Sequence, residues 1–252
     1  MLDKFNLKGK VAIVTGSSTG LGQGMIIGLA ESGADITGVD YVDAKETREM
    51  VEKIGRKFLE VKANLLTAEP VEGIIDQTVK EYGKVDILIN NAGIIRREDA
   101  IDFTEKDWDE VMSINAKTLF LFSQAAARQF LKQKTGGKII NVASLLSFQG
   151  GIRVPSYTAS KSAVMGLTRA LANEWAKHGI NVNAIAPGYM VTNNTKALRE
   201  DKVRNKEILG RIPAGRWGLP EDVAGTAVFL ASEASNYING YTIAVDGGWL
   251  AR

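Results

Sequence analysis

Short runs rich in Val and Ile, at residues 11–14, 36–39, 58–61, 85–89, 138–142, 181–185 and 242–245, alternate along this chain with stretches of helical periodicity at 21–31, 44–54, 71–81, 106–133, 156–177 and 221–231. No other feature constrains the fold as strongly. A strand covered on both faces reads as an unbroken apolar run, and regular strand–helix alternation puts helices on both faces of a parallel sheet. The expected fold is α/β, a doubly wound, seven-stranded parallel sheet. No repeat, low-complexity tract or Pro/Gly/Ser-rich linker divides the 252 residues, so a single domain spanning 1–252 is expected. The least regular long piece, at about 190–218, has mixed charges and a Pro-Ala-Gly turn and is expected to form a lid.

Composition removes several function classes. Thirty-one Lys and Arg stand against 29 Asp and Glu, with no block of like charges, which argues against a nucleic-acid partner. Zero Cys and one His, His178, leave neither a disulfide framework nor a Cys/His metal cluster, so no metal is expected. The charged N-terminal segment lacks the apolar stretch of a signal peptide, and no run of 18 apolar residues occurs. The expectation is a cytoplasmic protein that does not engage a membrane.

After the first apolar run, Gly16-Ser17-Ser18-Thr19-Gly20-Leu21-Gly22 leads into a helical stretch. Glycines at such a turn let a pyrophosphate approach the N–H groups at the positive end of the helix. The spacing is T-G-x-x-x-G-x-G, because Met25 stands where the stricter G-x-G-x-x-G pattern wants Gly or Ala. Gly16, Gly20, Gly24 and Gly28 also suit close helix packing, but placement between strand and helix favours a phosphate cradle. Asp40 ends the second strand, 18 residues after Gly22, near the offset at which an acid accepts a hydrogen bond from an adenosine ribose. Its charge would repel a 2′-phosphate, and no Arg or Lys lies in Ser17-Ser18-Thr19 or directly after Asp40. This favours NAD over NADP. The plainer alternative is an Asp that opens a turn or caps the next helix. Gly16-x-Ser18-x-Gly20 also fits a nucleophile elbow, so a serine hydrolase using Ser18 is the rival from another class. That rival needs His178, which sits in a Lys-His-Gly sequence suited to a helix end.

Tyr157 and Lys161, four residues apart near the start of a helical stretch, share one helix face. A nearby cation favours the phenolate of a Tyr, whose pKa is otherwise about 10, so Lys161 is expected to make Tyr157 a usable acid and base. An isolated Tyr-x-x-x-Lys is ordinarily a surface pair; its company changes that. Ser144 follows the strand at 138–142, Asn90-Asn91-Ala92-Gly93 follow the fourth and Pro187-Gly188 the sixth. All belong to the carboxyl ends of parallel strands, where open α/β sheets place their sites. Asn115 lies in a helical stretch it disfavours, either as a satisfied core amide or as a polar residue kept for a site.

Taken together, Thr15-Gly16-x-x-x-Gly20-x-Gly22, Asn90-Asn91-Ala92-Gly93, Asn115, Ser144, Tyr157-x-x-x-Lys161 and Pro187-Gly188 resemble the short-chain dehydrogenase/reductase family over essentially the whole chain. The resemblance implies a Rossmann-type sheet of order 3-2-1-4-5-6-7, hydride exchange with a nicotinamide, and a homotetramer. It makes Tyr157 the acid and base, Lys161 the group that lowers its pKa and binds the nicotinamide ribose, Ser144 the partner of the substrate oxygen, and Asn115 the holder of a water linking Lys161 to solvent. The cofactor would be lined by Gly16, Ser18, Thr19, Gly20, Leu21 and Gly22, by Asp40, by Asn91, Ala92 and Gly93, and by Pro187, Gly188, Met190 and Thr192, with Thr192 on the carboxamide. Asn64-Leu65 departs from the family's usual Asp at the adenine, although an Asn oxygen also accepts a hydrogen bond. The loops at 95–99, 147–155, 188–195 and 212–218 resemble those of members acting on sugar acids, which implies a small keto sugar acid as substrate. Branches acting on gluconate or on acyl carrier-protein thioesters stand as alternatives. A guanidinium best holds such a carboxylate. Arg96 and Arg153 flank the expected crevice and are its candidates, with Gln149 and Asn194 for hydroxyls, while Trp217 and Trp249 are expected to pack.

Overall fold

The computed structural model describes residues 2–252. Seven strands form one parallel sheet: β1 (Val11–Thr15), β2 (Asp35–Asp40), β3 (Phe58–Lys62), β4 (Ile87–Asn90), β5 (Gly137–Val142), β6 (Ile180–Pro187) and β7 (Thr242–Val245). Their order is β3-β2-β1-β4-β5-β6-β7, each neighbouring pair parallel. The order reverses between β1 and β4, which opens a crevice at their carboxyl ends.

Period-2 geometry explains why the strands read as unbroken apolar runs. Ala12, Val14, Ile36, Ile87, Ile89 and Ile140 point to one face, covered by α1 (Gly20–Glu31), α2 (Lys45–Lys53) and α9 (Pro220–Ala231). Ile13, Val39, Leu88, Ile139 and Val182 point to the other, covered by α3 (Val71–Tyr82), α5 (Leu119–Gln133) and α6 (Pro155–Trp175). Each large apolar side chain so buried stabilises the fold by about 1.5–3 kcal/mol. Among the described residues, no helix is long and apolar enough to cross a membrane.

Two stretches differ from the sequence-based expectation. The helix expected over 106–133 is three pieces: α4 (Glu105–Met112), a π-helical turn over Ser113–Thr118, and α5. The wide turn places Asn115 and Thr118 inward as buried polar residues. The irregular 190–218 stretch carries two helices, α7 (Lys196–Glu200) and α8 (Lys202–Arg211). The Asp201 carboxylate caps α8 by accepting from the Val203 and Arg204 N–H groups at 2.9 and 3.0 Å. A small satellite core, in which Leu145, Ile208, Ile212 and Trp249 bury each other against Tyr189 and Trp217, seats this segment on the end of the sheet.

Candidate active site

Gly16, at φ +70°, turns the chain out of β1 while its N–H donates to the Val39 carbonyl at 2.8 Å. A Cβ at Gly22 would collide with the Gly16 carbonyl. Asn91 and Thr15 fix the loop from β4 to this turn: Asn91 Nδ2 donates to the Thr15 carbonyl at 2.8 Å, and Thr15 Oγ1 accepts from the Asn91 and Ala92 N–H groups at 3.0 and 2.9 Å. Asp40 rests on the same loop, its Oδ2 accepting from the Ser18 N–H at 2.9 Å and its Oδ1 from the Tyr41 N–H at 2.8 Å. The carboxylate thus holds its own turn and stands at the glycine loop.

Helix α1 begins at Gly20 without a side-chain cap from Thr19 and without an acid in its first turn. Its positive end lacks the side-chain acceptor that such ends usually recruit. A pyrophosphate supplies one, so a side-chain-free cradle before a bare helix end fits a nicotinamide dinucleotide. Leu21 packs against the core on one face of the sheet, and Leu65 is buried in the core on the other. The neighbouring Asn64 is exposed, its Oδ1 accepting from the Leu66 N–H at 3.0 Å.

Beyond β6, the Gly188 N–H donates to the Val245 carbonyl at 2.9 Å, and a Cβ on Gly188 would lie 2.6 Å from the Asp246 Cα. Pro187 is the last residue of β6, paired with Val245 of β7. Met190 is buried and bridges to Gly218. Thr192 lies on the glycine loop, its Cγ2 3.5 Å from where a Gly20 Cβ would stand.

The candidate catalytic side chains gather where β5 ends. Pro155 opens α6 at a position where its missing N–H costs nothing, and Tyr157 and Lys161 follow on one face. Lys161 is buried; its Nζ donates to the Val142 carbonyl at 2.7 Å and lies 5.6 Å from the centre of the Tyr157 ring. Burial lowers its pKa to about 8. The Tyr157 phenol is held above its ordinary value by burial, while a hydrogen bond from Ser144 and the charge of Arg97 act in the opposite direction. Burial of the phenol therefore outweighs the acidifying groups, which are Ser144 and Arg97. Ser144 Oγ accepts from the Leu146 N–H at 3.2 Å, and Ser147 Oγ donates to the Lys161 carbonyl at 2.6 Å, tying the strand end to α6.

Asn115 touches the same assembly from the π-helical turn. Its Oδ1 accepts from the Ile94 N–H at 2.9 Å, and its Nδ2 donates to the Ile94 carbonyl at 3.0 Å and to Ser160 Oγ at 3.1 Å. The side chain thus pins the segment after Gly93 to α6. A Cβ on Gly93 would lie 3.0 Å from Asn115 Oδ1 and 3.7 Å from Lys161 Nζ.

The arginines sort themselves by partner. Arg96 pairs with Asp107 and Glu110 of α4 at 3.3 and 2.8 Å. Arg153 pairs with Glu98 and Asp99 at 3.2 and 3.0 Å, and it holds a left-handed φ of +64° that a non-glycine residue rarely adopts. Both resemblance-based carboxylate candidates are therefore engaged with acids of the protein. Arg97 has no carboxylate partner among the described residues; it donates to the Asn194 carbonyl at 3.1 Å, and its charge reaches Tyr157. Gln149 accepts from Arg211 at 3.2 Å, and Arg211 stacks 4.0 Å over the Trp249 ring.

Residues 16–250 match the family model described as Enoyl-(Acyl carrier protein) reductase. The chain is 68% identical over its full length to the 2-dehydro-3-deoxy-D-gluconate 5-dehydrogenase of Dickeya dadantii, all of which is covered, and 65% identical, again over all of both chains, to that of Escherichia coli. The chain belongs to the short-chain dehydrogenase/reductase family. A solved structure from Agrobacterium tumefaciens, assigned as a candidate 2-deoxy-D-gluconate 3-dehydrogenase with bound NADP, superposes with a TM-score of 0.93 at 53% identity, covering 99% of this chain and all of that one.

As a member of this family, the chain is an oxidoreductase that uses a nicotinamide cofactor. The hydrolase alternative has no geometry behind it. His178 closes the short turn ahead of β6, at the amino edge of the sheet, whereas Ser18 lies past the carboxyl end of the parallel strand β1. Sequence reasoning gave no separate role to Arg97, Ser147 or Thr15. Arg97 stood between Arg96 and two acids, Glu98 and Asp99, and carried no mark of its own; Thr15 and Ser147 act by capping and bracing, which spacing does not reveal.

Proposed function

We propose that this short-chain dehydrogenase/reductase interconverts 2-dehydro-3-deoxy-D-gluconate and 3-deoxy-D-glycero-2,5-hexodiulosonate with NAD and NADH, a step in the breakdown of pectin-derived uronates. Two supports stand behind this reading: the grouping of Ser144, Tyr157 and buried Lys161 at the end of β5 carries the reaction, and full-length identity of 68% to an enzyme of that name carries the substrate. When bound, the nicotinamide supplies or receives the hydride. In the reductive direction, the Tyr157 hydroxyl donates its proton to the ketone oxygen, and the Ser144 hydroxyl steadies that oxygen. Such proton transfer contributes about 10²–10⁴-fold. Lys161, held on the Val142 carbonyl, favours the phenolate left on Tyr157. Arg97, the unpaired guanidinium whose charge reaches Tyr157, receives the substrate carboxylate. Asn115 keeps the backbone at Ile94 in register with α6.

NAD is preferred over NADP because the Asp40 carboxylate, on the glycine loop, would face a 2′-phosphate. The Agrobacterium relative holds NADP, so the preference is a property to be measured on this chain. Residues 190–218 act as the lid, entering at Met190 and leaving at Gly218, which bridge one another. Assembly as a homotetramer follows the family expectation and is read by light scattering.

The experiment is NADH absorbance with the hexodiulosonate, using NADPH, 5-ketogluconate and an acetoacetyl thioester as controls. Turnover of the hexodiulosonate with NADH, and at least tenfold slower turnover with NADPH, is the expected result. Turnover of a control substrate alone would discard the substrate assignment and keep the Tyr157 chemistry.

A further inference from the structure

Ser144 comes from the end of β5, and Tyr157 and Lys161 come from α6, so their approach depends on how that strand end is fastened to that helix. Two side chains do the fastening. Lys161 reaches out of the helix, its Nζ donating to the Val142 carbonyl at 2.7 Å. Ser147 reaches into it: its Oγ donates to the Lys161 carbonyl at 2.6 Å and accepts from the Ser144 N–H at 3.3 Å. Ser147 is only 7% exposed, and at such depth a lost hydrogen bond is not made good by solvent.

The two fastenings hold different points of the strand end. Lys161 fixes Val142, two residues short of Ser144. Ala143 is still held by the sheet, its N–H donating to the Ile185 carbonyl at 2.8 Å. The Ser144 N–H has left the sheet and rests on Ser147 instead. Ser147 in turn sits on Ser144, its N–H donating to the Ser144 carbonyl at 3.0 Å, so the two residues brace each other. The Leu146 N–H occupies one lone pair of Ser144 Oγ at 3.2 Å, and the Ser144 hydroxyl meets the Tyr157 phenol. A serine hydroxyl has one proton to give, and Ser147 gives its own to the Lys161 carbonyl. Ser147 therefore has none left for a ligand, and what it can govern is where Ser144 stands.

We infer that Ser147 is a positioning residue for the hydride-transfer reaction: by fixing the Ser144 backbone to the helix turn that carries Lys161, it sets the Ser144 hydroxyl against the Tyr157 phenol and the substrate oxygen. It touches no reacting atom itself. The inference rests on the Ser144, Tyr157 and Lys161 reading above and adds the group that keeps the strand-borne member of that set in register with the two helix-borne members. A misplacement of about 1 Å in such a set costs up to about 10²-fold in rate. Loss of one brace, with the Lys161 tie to Val142 still in place, is expected to cost less.

The test is a double-mutant cycle on the full-length enzyme with Ser147→Ala, Ser144→Ala and the two together, read as kcat and as the pH dependence of alcohol oxidation with NAD. Ser147→Ala is expected to lower kcat about tenfold. The pH at which its oxidation rate rises moves to more alkaline values, as in Ser144→Ala, because the Ser144 hydrogen bond that holds the Tyr157 pKa down is weakened. In the Ser144→Ala background, adding Ser147→Ala changes kcat by less than about twofold and leaves the pH profile where it is, since residues that act through one contact are not additive. A further tenfold loss in that background overturns the inference, for Ser147 would then act through Lys161 or the fold. A lowered melting temperature with an unmoved pH profile in Ser147→Ala also overturns it. Should Ser147→Ala fail to fold, Ser147→Cys decides: the thiol is of similar size and a weak hydrogen bonder, so its pH profile moves in the same direction, and an unmoved profile overturns the inference. Wild-type kcat in Ser144→Ala would instead overturn the catalytic reading itself, separately from Ser147.

Discussion

Two lysines, one at each end of β5 and α6's side of the sheet, have the same lowered pKa of about 8. Burial is the first cause in both. Lys161, at the carboxyl end, donates to the Val142 carbonyl beside Tyr157. Lys138, near the amino end, donates to the carboxamide oxygens of Asn181 and Asn236 at 2.9 and 2.7 Å, beside Glu233 and Lys10. Equal perturbation serves different ends: at Lys161 the neighbours are a phenol, a serine and a glycine loop, and at Lys138 they are amides that hold the loop before β7 to β6. A shifted pKa marks a buried charge, and only its neighbours make that charge chemical.

Substitution by Met separates the two most sharply. Lys161→Met is expected to lower kcat about 10²–10⁴-fold, the range for losing a proton-transfer arrangement, with Lys138→Met within about twofold of wild type. Steady-state kinetics at saturating NADH measures both; equal losses would make the two ends equivalent. Next in size, Arg97→Met is expected to raise the keto-acid KM about 10–100-fold, the cost of a hydrogen bond to a charged group, whereas Arg96→Met and Arg153→Met change it less than threefold. A KM that follows Arg153 instead would return the carboxylate to the ion-paired loop. Removing Arg97 also removes a charge that lowers the Tyr157 pKa, so the pH at which alcohol oxidation rises moves to more alkaline values. Ser144→Ala moves it the same way, since its hydrogen bond acts in the same direction.

The smallest effect concerns stability. A lysine whose pKa falls from 10.5 to about 8 on folding leaves the unfolded chain holding more protons between those values, so the wild type gains stability as pH rises through that window. Below about pH 8 the cost of burying the charged form is present in full. The difference in denaturation midpoint between wild type and Lys138→Met should therefore shift in favour of the wild type from pH 8 to pH 10. A difference that is flat with pH would show that Lys138 keeps its ordinary proton affinity in the folded chain.

Much of this architecture was legible because burial on both faces imposes a pattern. Ile13 and Val14 face opposite helical layers, and nothing polar interrupts them, so β1 reads plainly. Strand ends then place the Gly16 loop, Ser144 and the start of α6 on one edge from the sequence alone. The two helices of the 190–218 segment were hidden for the opposite reason. In Lys202–Arg211 the buried residue is Ile208, and α7 is five residues long, so neither shows an apolar stripe. The π-helical turn was hidden within 106–133 because apolar residues continue on either side of it. Which arginine stands free was beyond the sequence altogether, since it depends on Asp107, Glu110, Glu98 and Asp99 having taken Arg96 and Arg153.

That same turn over Ser113–Thr118 sets thrift against function. Removing one residue from it would let α4 and α5 run together as a regular helix, with better backbone hydrogen bonding and a shorter chain. It would also rotate one side of the helix by about 100° relative to the other, the angle of a single residue, and Asn115 would release Ile94 and Ser160. A one-residue deletion here is thus a trade in which the scaffold gains and the Asn115 tie between Ile94 and α6 is lost.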